Sequence, residues 1–583
     1  IGYNAMKSTS ATNQNASYNT AVGYVALESI TDADYNTAIG QAAGQNLTGG
    51  SGQNVFIGNS AGISSVTSAN NVMIGVSAGL AATDVDKTVL LGWNAGRNTT
   101  ADGTIAIGYQ ALLEHTTGVR NIAIGRDAMK GTNAGSNSLG SSDNIFIGDQ
   151  AGGGTWTDAA SNGNVGIGTY VMDASTDGAL YNTAVGAYAA SAITQADNVV
   201  AIGNSAAYSL TTASNNIAIG FSAMKVHTTG ERNMAIGTNA MDDTDAGSTS
   251  LGSDDNIFIG YDAGGGTWAD ADSKENVAIG NYSMDGALDG ALRNVAIGHD
   301  ALGGLTSGDY NQAIGYRAMY GASTAHSNTM IGHEVGLQLT TGGYNVAMGY
   351  HAGYNNQTGV YNVHIGYQAG KGAASNSANT NTFVGYKVGF DVTSGYNNVA
   401  IGGSALENVT TGYDNVAIGN QAGDAITTTN FVTLIGRHAG GAINSTGANG
   451  TVAIGYQAAN DLTSAAGLTA VGYQAGKSIV DGHSNTAFGY QALYSEVASD
   501  ESTAVGYKSL YTQSGSTTTL GNTAVGHLAG RDTTTADRNT YVGKSAALKV
   551  TTGRQNTALG WNALQTVTTG QGNTAVGAMA GNS

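Results

Sequence analysis

One feature constrains this chain more than any other: a nine-residue unit is rewritten from end to end. "NTAFGYQAL" (485–493), "TVAIGYQAA" (451–459), "NVHIGYQAG" (362–370) and "NVAIGNQAG" (415–423) are four copies of it. Anchored on the central glycine, from Gly2 to Gly577, the unit recurs about 33 times with a modal spacing of 17 residues. A cleanly written copy is 398–414, "NVAIGGSALENVTTGYD". A period of this size belongs to architectures in which each repeat buries its apolar face only by stacking on its neighbours.

Within a copy, the residue before the glycine is Ile, Val, Leu, Met or Phe, and the residue before that is usually Ala. Ala returns three positions after the glycine, and polar turn sequence such as "TTG" fills the rest. Helix is disfavoured, because a glycine in every turn and a half costs about 1 kcal/mol each relative to Ala. The pattern predicts two brief strands per coil joined by corners. The expected fold is all-β: a parallel β-solenoid (β-roll) of about 33 coils, one continuous array over 1–583. Its first coil, 1–18, is incomplete, and its coils at 126–168 and 238–280 carry longer loops. Asn recurs four residues before the glycine, as at Asn19, Asn36, Asn54, Asn71 and Asn121, and predicts an amide ladder running from coil to coil.

Alternation along a strand sends neighbouring side chains to opposite faces. The aliphatic residue before the glycine is expected to face the dry core. Its Ala neighbour would then face outward, yet it hardly drifts to Lys, Glu or Thr. That restriction predicts a second covered face, most simply one packed on other copies of the chain in a homotrimer.

Composition removes several function classes. There are 89 glycines, no proline and no cysteine, and 10% of residues are charged, with a net charge of -19. Thiolate chemistry and disulfides are excluded, a nucleic-acid partner would require a basic stripe, and no apolar run approaches a helical membrane span, so no membrane insertion is expected. Apparent chemical motifs fail on spacing. "LTAVGYQAGKSIV" (468–480) places three residues between Gly472 and Gly476 where a phosphate loop needs four. "GGSGQNVFI" (49–57) imitates one calcium-binding nonapeptide, but the other turns lack its acidic residue. "IGHEVG" (331–336) lacks the second His four residues on that a zinc-protease helix uses. No catalytic residue, cofactor or metal is expected.

Two sets of residues are candidates for surface binding. Tyr456, Tyr473, Tyr490 and Tyr507 follow the glycine in four consecutive coils and predict a stacked ladder, with a strip of rings for sugars as the sharper reading. Trp156 and Trp268 sit in a duplicated segment, 121–156 and 233–268, after the insertions "AGSNSLGSSD" and "AGSTSLGSDD", and are candidates for surface binding on protruding loops, although a Trp more commonly packs its own loop against the shaft.

The unit "N-[TV]-A-[IV]-G-x-x-A" resembles the head repeats of trimeric autotransporter adhesins, the YadA-like heads. It is more similar still to the "NTAVGYQAL" arrays of bacteriophage tail-fibre proteins. The resemblance covers essentially the whole chain and implies a left-handed parallel β-roll with three chains in one shaft. It also implies a structural role in attachment to a host surface, through a cell-surface glycan or protein receptor, in a virion tail or at a cell surface. The 17-residue period is longer than the usual coil of the adhesin heads, and no anchor barrel or coiled-coil stalk is present in these residues. An adhesin head and an extracellular filament stacked end to end are the alternatives.

Overall fold

In the computed structural model, residues 1–7, 15–132, 140–157, 159–244, 252–515 and 519–582 are described. The two insertions before Trp156 and Trp268 fall largely outside them. The chain is a parallel β-solenoid of about 32 turns with a period near 17 residues, and it divides into two compact units, Ile1–His299 and Asp300–Ser583. The first unit holds strands β1 (Thr20–Val22) to β16 (Val295–Ile297); the second holds β17 (Gln312–Ile314) to β32 (Thr574–Val576). Every strand is three residues long and ends just before the anchor glycine.

Within each unit successive strands pair in parallel and in register, equal repeat positions facing one another: Ala201 lies beside Ala218, and Ala400 beside Ala417. The anchor glycine sets this stack. Gly40 has φ +135°, and a Cβ there would fall on the carbonyl of Gly58 in the next turn. A side chain at this point is opposed both by its own backbone conformation and by the rung above.

Among the described residues, the second strand expected in each coil does not form. The segment after the glycine is a corner in which the second and fourth residues both hold positive φ, as Ser404 (54°) and Leu406 (47°) do. Left-handed backbone is unfavourable for side-chain-bearing residues, and here rung-to-rung hydrogen bonds offset it: Ser404 N–H donates to Tyr386 O at 2.8 Å and Leu406 N–H to Ala422 O at 3.1 Å. The corner turns Ala405 and Leu406 into the core, both fully buried.

The two faces of the strand are the reverse of the sequence expectation. In β22 (Val399–Ile401) the middle residue, Ala400, is buried, whereas Ile401 is 40% exposed. The same holds for Ala201 and Ile202 in β11 (Val200–Ile202). In the rung of Ala400 the corner residue Leu406 fills the space opposite it. In several rungs where the strand supplies Ala, the corner supplies Leu or Met, as with Ala106 and Leu112, Ala218 and Met224, and Ala400 and Leu406, whereas Ala201 pairs with Ala207 and Ala470 with Gly476. Where the strand supplies a large residue, the corner shrinks to glycine. Phe56 lies against Gly44 and Gly62, and Phe383 against Gly389. In rungs of these two kinds the core is a lattice whose volume is filled from one side or the other.

The Asn ladder forms as expected. Asn54 Oδ1 accepts from Asn71 N–H at 3.1 Å and from Asn71 Nδ2 at 3.0 Å, while Asn54 Nδ2 donates to Asn36 Oδ1 and to Ser68 O at 2.9 and 2.8 Å. Asn54 thereby uses both donors and accepts two bonds, which is what burial of so polar a group demands.

Candidate functional site

The outward face of the strands is the feature of this surface that ordinary solubility does not explain. Its two columns are the first and third strand residues. The third column runs, in the first unit, through Ile57, Ile74, Leu91, Ile107, Ile124 and Ile147, each in register with the next. In the second unit it continues this pattern through Val384, Ile401, Ile418 and Ile435. The first column is Val or Ile over much of the first unit and mostly Thr late in the second, from Thr469 to Thr574. Among the described residues, no outward strand position carries a charge.

Each partly exposed aliphatic side chain leaves on the order of 60 Å² open, so sixteen rungs present on the order of 1,000 Å² of contiguous apolar surface. The largest patch on a typical monomer is about 300–600 Å², and a stable interface buries about 800 Å² per partner. Depletion of charge is also the compositional mark of an interface core.

Beside this face runs a column of aromatic rings, the residues directly after the glycine. Tyr456, Tyr473, Tyr490 and Tyr507 are exposed and stack at 5.2, 5.1 and 5.2 Å, nearly parallel, and His527 continues the column at 5.0 Å. Tyr350, Tyr367 and Tyr386 repeat the arrangement at 5.3 and 5.4 Å. The structure thus places the four predicted tyrosines together on one surface line. In the first unit, Tyr188, Ser205, Tyr208 and Lys225 line an open groove of about 450 Å³.

Trp156 and Trp268 do not belong to this surface. Both are fully buried. Trp156 packs edge-on against Phe146 at 5.9 Å and donates Nε1–H to Gly152 O at 3.2 Å; Trp268 lies 5.6 Å from Phe258 and donates to Gly264 O at 3.0 Å. Of the two readings the surface-binding one is corrected and the packed one holds: each indole supplies a large apolar body to the core and satisfies its one donor on the backbone there.

Ion pairs decorate the edges of the first unit. Arg120 with Asp143 and Arg232 with Asp255 are two-point contacts spanning adjacent rungs. Being exposed, they fix side-chain geometry more than they stabilise the fold.

No family model matches the chain, and no curated protein matches it.

Proposed function

We propose that this chain is the shaft of a structural fibre in which the outward aliphatic face is buried against further copies of the chain, three in all. The single observation that carries the proposal is that uncharged, in-register column of Ile, Val and Leu. A solvent-facing position repeated through both units would drift to polar residues; this one does not. The restriction of the Ala position is accounted for by its burial in the core, so the reading of a covered outer face rests on the aliphatic column instead.

The resemblance of the repeat to phage tail-fibre arrays and to the heads of trimeric adhesins supports the same reading. In it, the chain acts in host-surface attachment, outside the cell or on a virion tail, and the exposed tyrosine columns are the surface offered to a glycan or protein receptor. No catalytic step is part of the proposal.

Electron microscopy of the purified chain tests the shaft reading. Rods of uniform finite length support a shaft, whereas filaments of indefinite length support a subunit that stacks end to end.

A further inference from the structure

Among the described residues, one place gathers three side chains of metal-ligating type with donor atoms within 4.8 Å of one another: His333, Glu334 and His351. The fold assembles it from two rungs. Glu334 and His351 are the second residues after Gly332 and Gly349, 17 positions apart, and both hold the left-handed corner conformation, φ 50° and 52°. Equal positions on successive rungs are stacked, so the corner aims both side chains to the same side. His333, directly after Gly332, reaches the pair from the neighbouring aromatic column.

The donors converge on one carboxylate oxygen. His351 Nε2 lies 2.7 Å from Glu334 Oε2, and His333 Nδ1 lies 4.0 Å from the same oxygen. Zinc-type bonds of about 2.0–2.1 Å in tetrahedral geometry separate donors by roughly 3.3 Å. The two observed separations bracket that value, and each is brought to it by a side-chain movement of well under about 1 Å.

The imidazoles are held in place. Tyr350 stacks on His351 at 3.8 Å and Tyr354 flanks it at 4.5 Å. His333 lies between Tyr316 and Tyr350, at 4.9 and 5.3 Å. Glu334 and His351 are largely shielded from water while His333 is half exposed, so the cluster opens to solvent on one side. Arg317 Nη1 reaches the other carboxylate oxygen, Oε1, at 3.3 Å, leaving Oε2 to the histidines. Two imidazoles with one carboxylate are a borderline donor set that suits zinc, copper and nickel ahead of magnesium or calcium.

We propose that His333, Glu334 and His351 form a surface site for one divalent transition-metal ion of the zinc class, bound through two imidazole nitrogens and one carboxylate oxygen, with a further coordination position open to solvent. Binding replaces the hydrogen bond between His351 Nε2 and Glu334 Oε2 with the ion, and the neutral imidazole then carries its one N–H on Nδ1. The ion ties two adjacent rungs together at their corners. The site does not depend on the fibre reading.

Equilibrium dialysis of the full chain, stripped with chelator and returned to micromolar ZnCl2, tests it, with metal counted by atomic emission and the fold followed by circular dichroism. One zinc per chain is expected, with Co²⁺ in its place giving the intense visible bands of a four-coordinate site. Loss of an outer partner alone typically costs about 10–100-fold in metal affinity, so His333→Ala and His351→Ala should each weaken binding by at least that much. His438→Ala, at the same corner position on another rung, should leave it unchanged. Absence of stoichiometric zinc from the parent chain, or uptake that persists in the His333→Ala/His351→Ala double variant with the fold intact, overturns the proposal.

Discussion

Asn362 Nδ2 donates to Asn345 Oδ1, one rung earlier, at 3.0 Å, and the backbone N–H of Asn362 donates to the same oxygen at 3.0 Å. The remaining amide hydrogen goes to Ala378 O at 2.7 Å, and Asn362 Oδ1 accepts from Asn381. One side chain therefore joins its own rung to the rungs on both sides.

Replacing it should cost accordingly. Asn362→Ala removes a buried amide that satisfies Asn345, Ala378 and Asn381, and a buried polar group left unpaired costs about 1–3 kcal/mol. The expected loss is about 2–3 kcal/mol, concentrated in the adjacent rungs because stability in stacked repeats is a near-neighbour property. Hydrogen exchange at residues 345–398 reads it; unchanged protection there contradicts the ladder's role.

The volume lattice predicts a rescue. Phe383→Ala should destabilise by about 3–5 kcal/mol through the cavity it opens. Adding Gly389→Leu recreates the pairing of Ala400 with Leu406, and the corner already tolerates Leu at positive φ there and at Leu112. The double variant should recover a substantial part of the loss in urea denaturation, whereas Gly389→Leu alone should destabilise by collision with the Phe383 ring. Additive losses contradict the lattice.

His364 gives the fold a pH dependence. It occupies the inward strand position, stacked 5.4 Å from Phe383, with Nε2 buried and unpartnered. Burial pushes its pKa down to about 4 from 6.5. The unfolded chain therefore takes up a proton below about pH 6.5 that the folded chain refuses until about pH 4. Stability contributed by the neutral ring is full above pH 6.5 and falls as pH drops through that window, by about 3 kcal/mol in all. His364→Phe should flatten the difference in stability between pH 7 and pH 5, although His115, also lowered by burial, keeps part of it. An unaltered difference contradicts the assignment.

A charge on the outward face should separate assembly from folding. Ile401→Lys places an ammonium on a column free of charge, where a chain standing alone tolerates it and a buried interface does not. The circular dichroism of the variant should match the parent while its sedimentation coefficient falls. A variant that sediments with the parent contradicts burial of this face.

Much of this fold is legible in the sequence, for physical reasons. The glycine period fixes the rung, because a Cβ at Gly40 meets the next rung's backbone. The Asn positions fix the ladder, because a buried amide needs partners at equal height. The direction of the strand is not legible. Three residues such as Val399, Ala400 and Ile401 alternate equally well in either sense, and the usual rule that the larger residue goes inside fails once Leu406 has filled the core from the far side.

Local spacing hid the rest of the surface. "IGHEVG" shows no partner for His333 within a helical turn, because the partner is His351, adjacent only when a rung of 17 residues is closed. Trp156 and Trp268 followed loop-like sequence yet lie in the core. The tyrosine column, by contrast, follows directly from the period, since Tyr473 and Tyr490 occupy equal positions on successive rungs.

The central claim is that the outward column of Ile, Val and Leu is covered by other copies of this chain. Light scattering coupled to size exclusion, at about micromolar concentration where interfaces of this size persist, measures the mass of the particle directly. The account predicts a single species of three times the 58.4 kDa chain mass. A species of 58.4 kDa, stable and soluble with that face open to water, would contradict it.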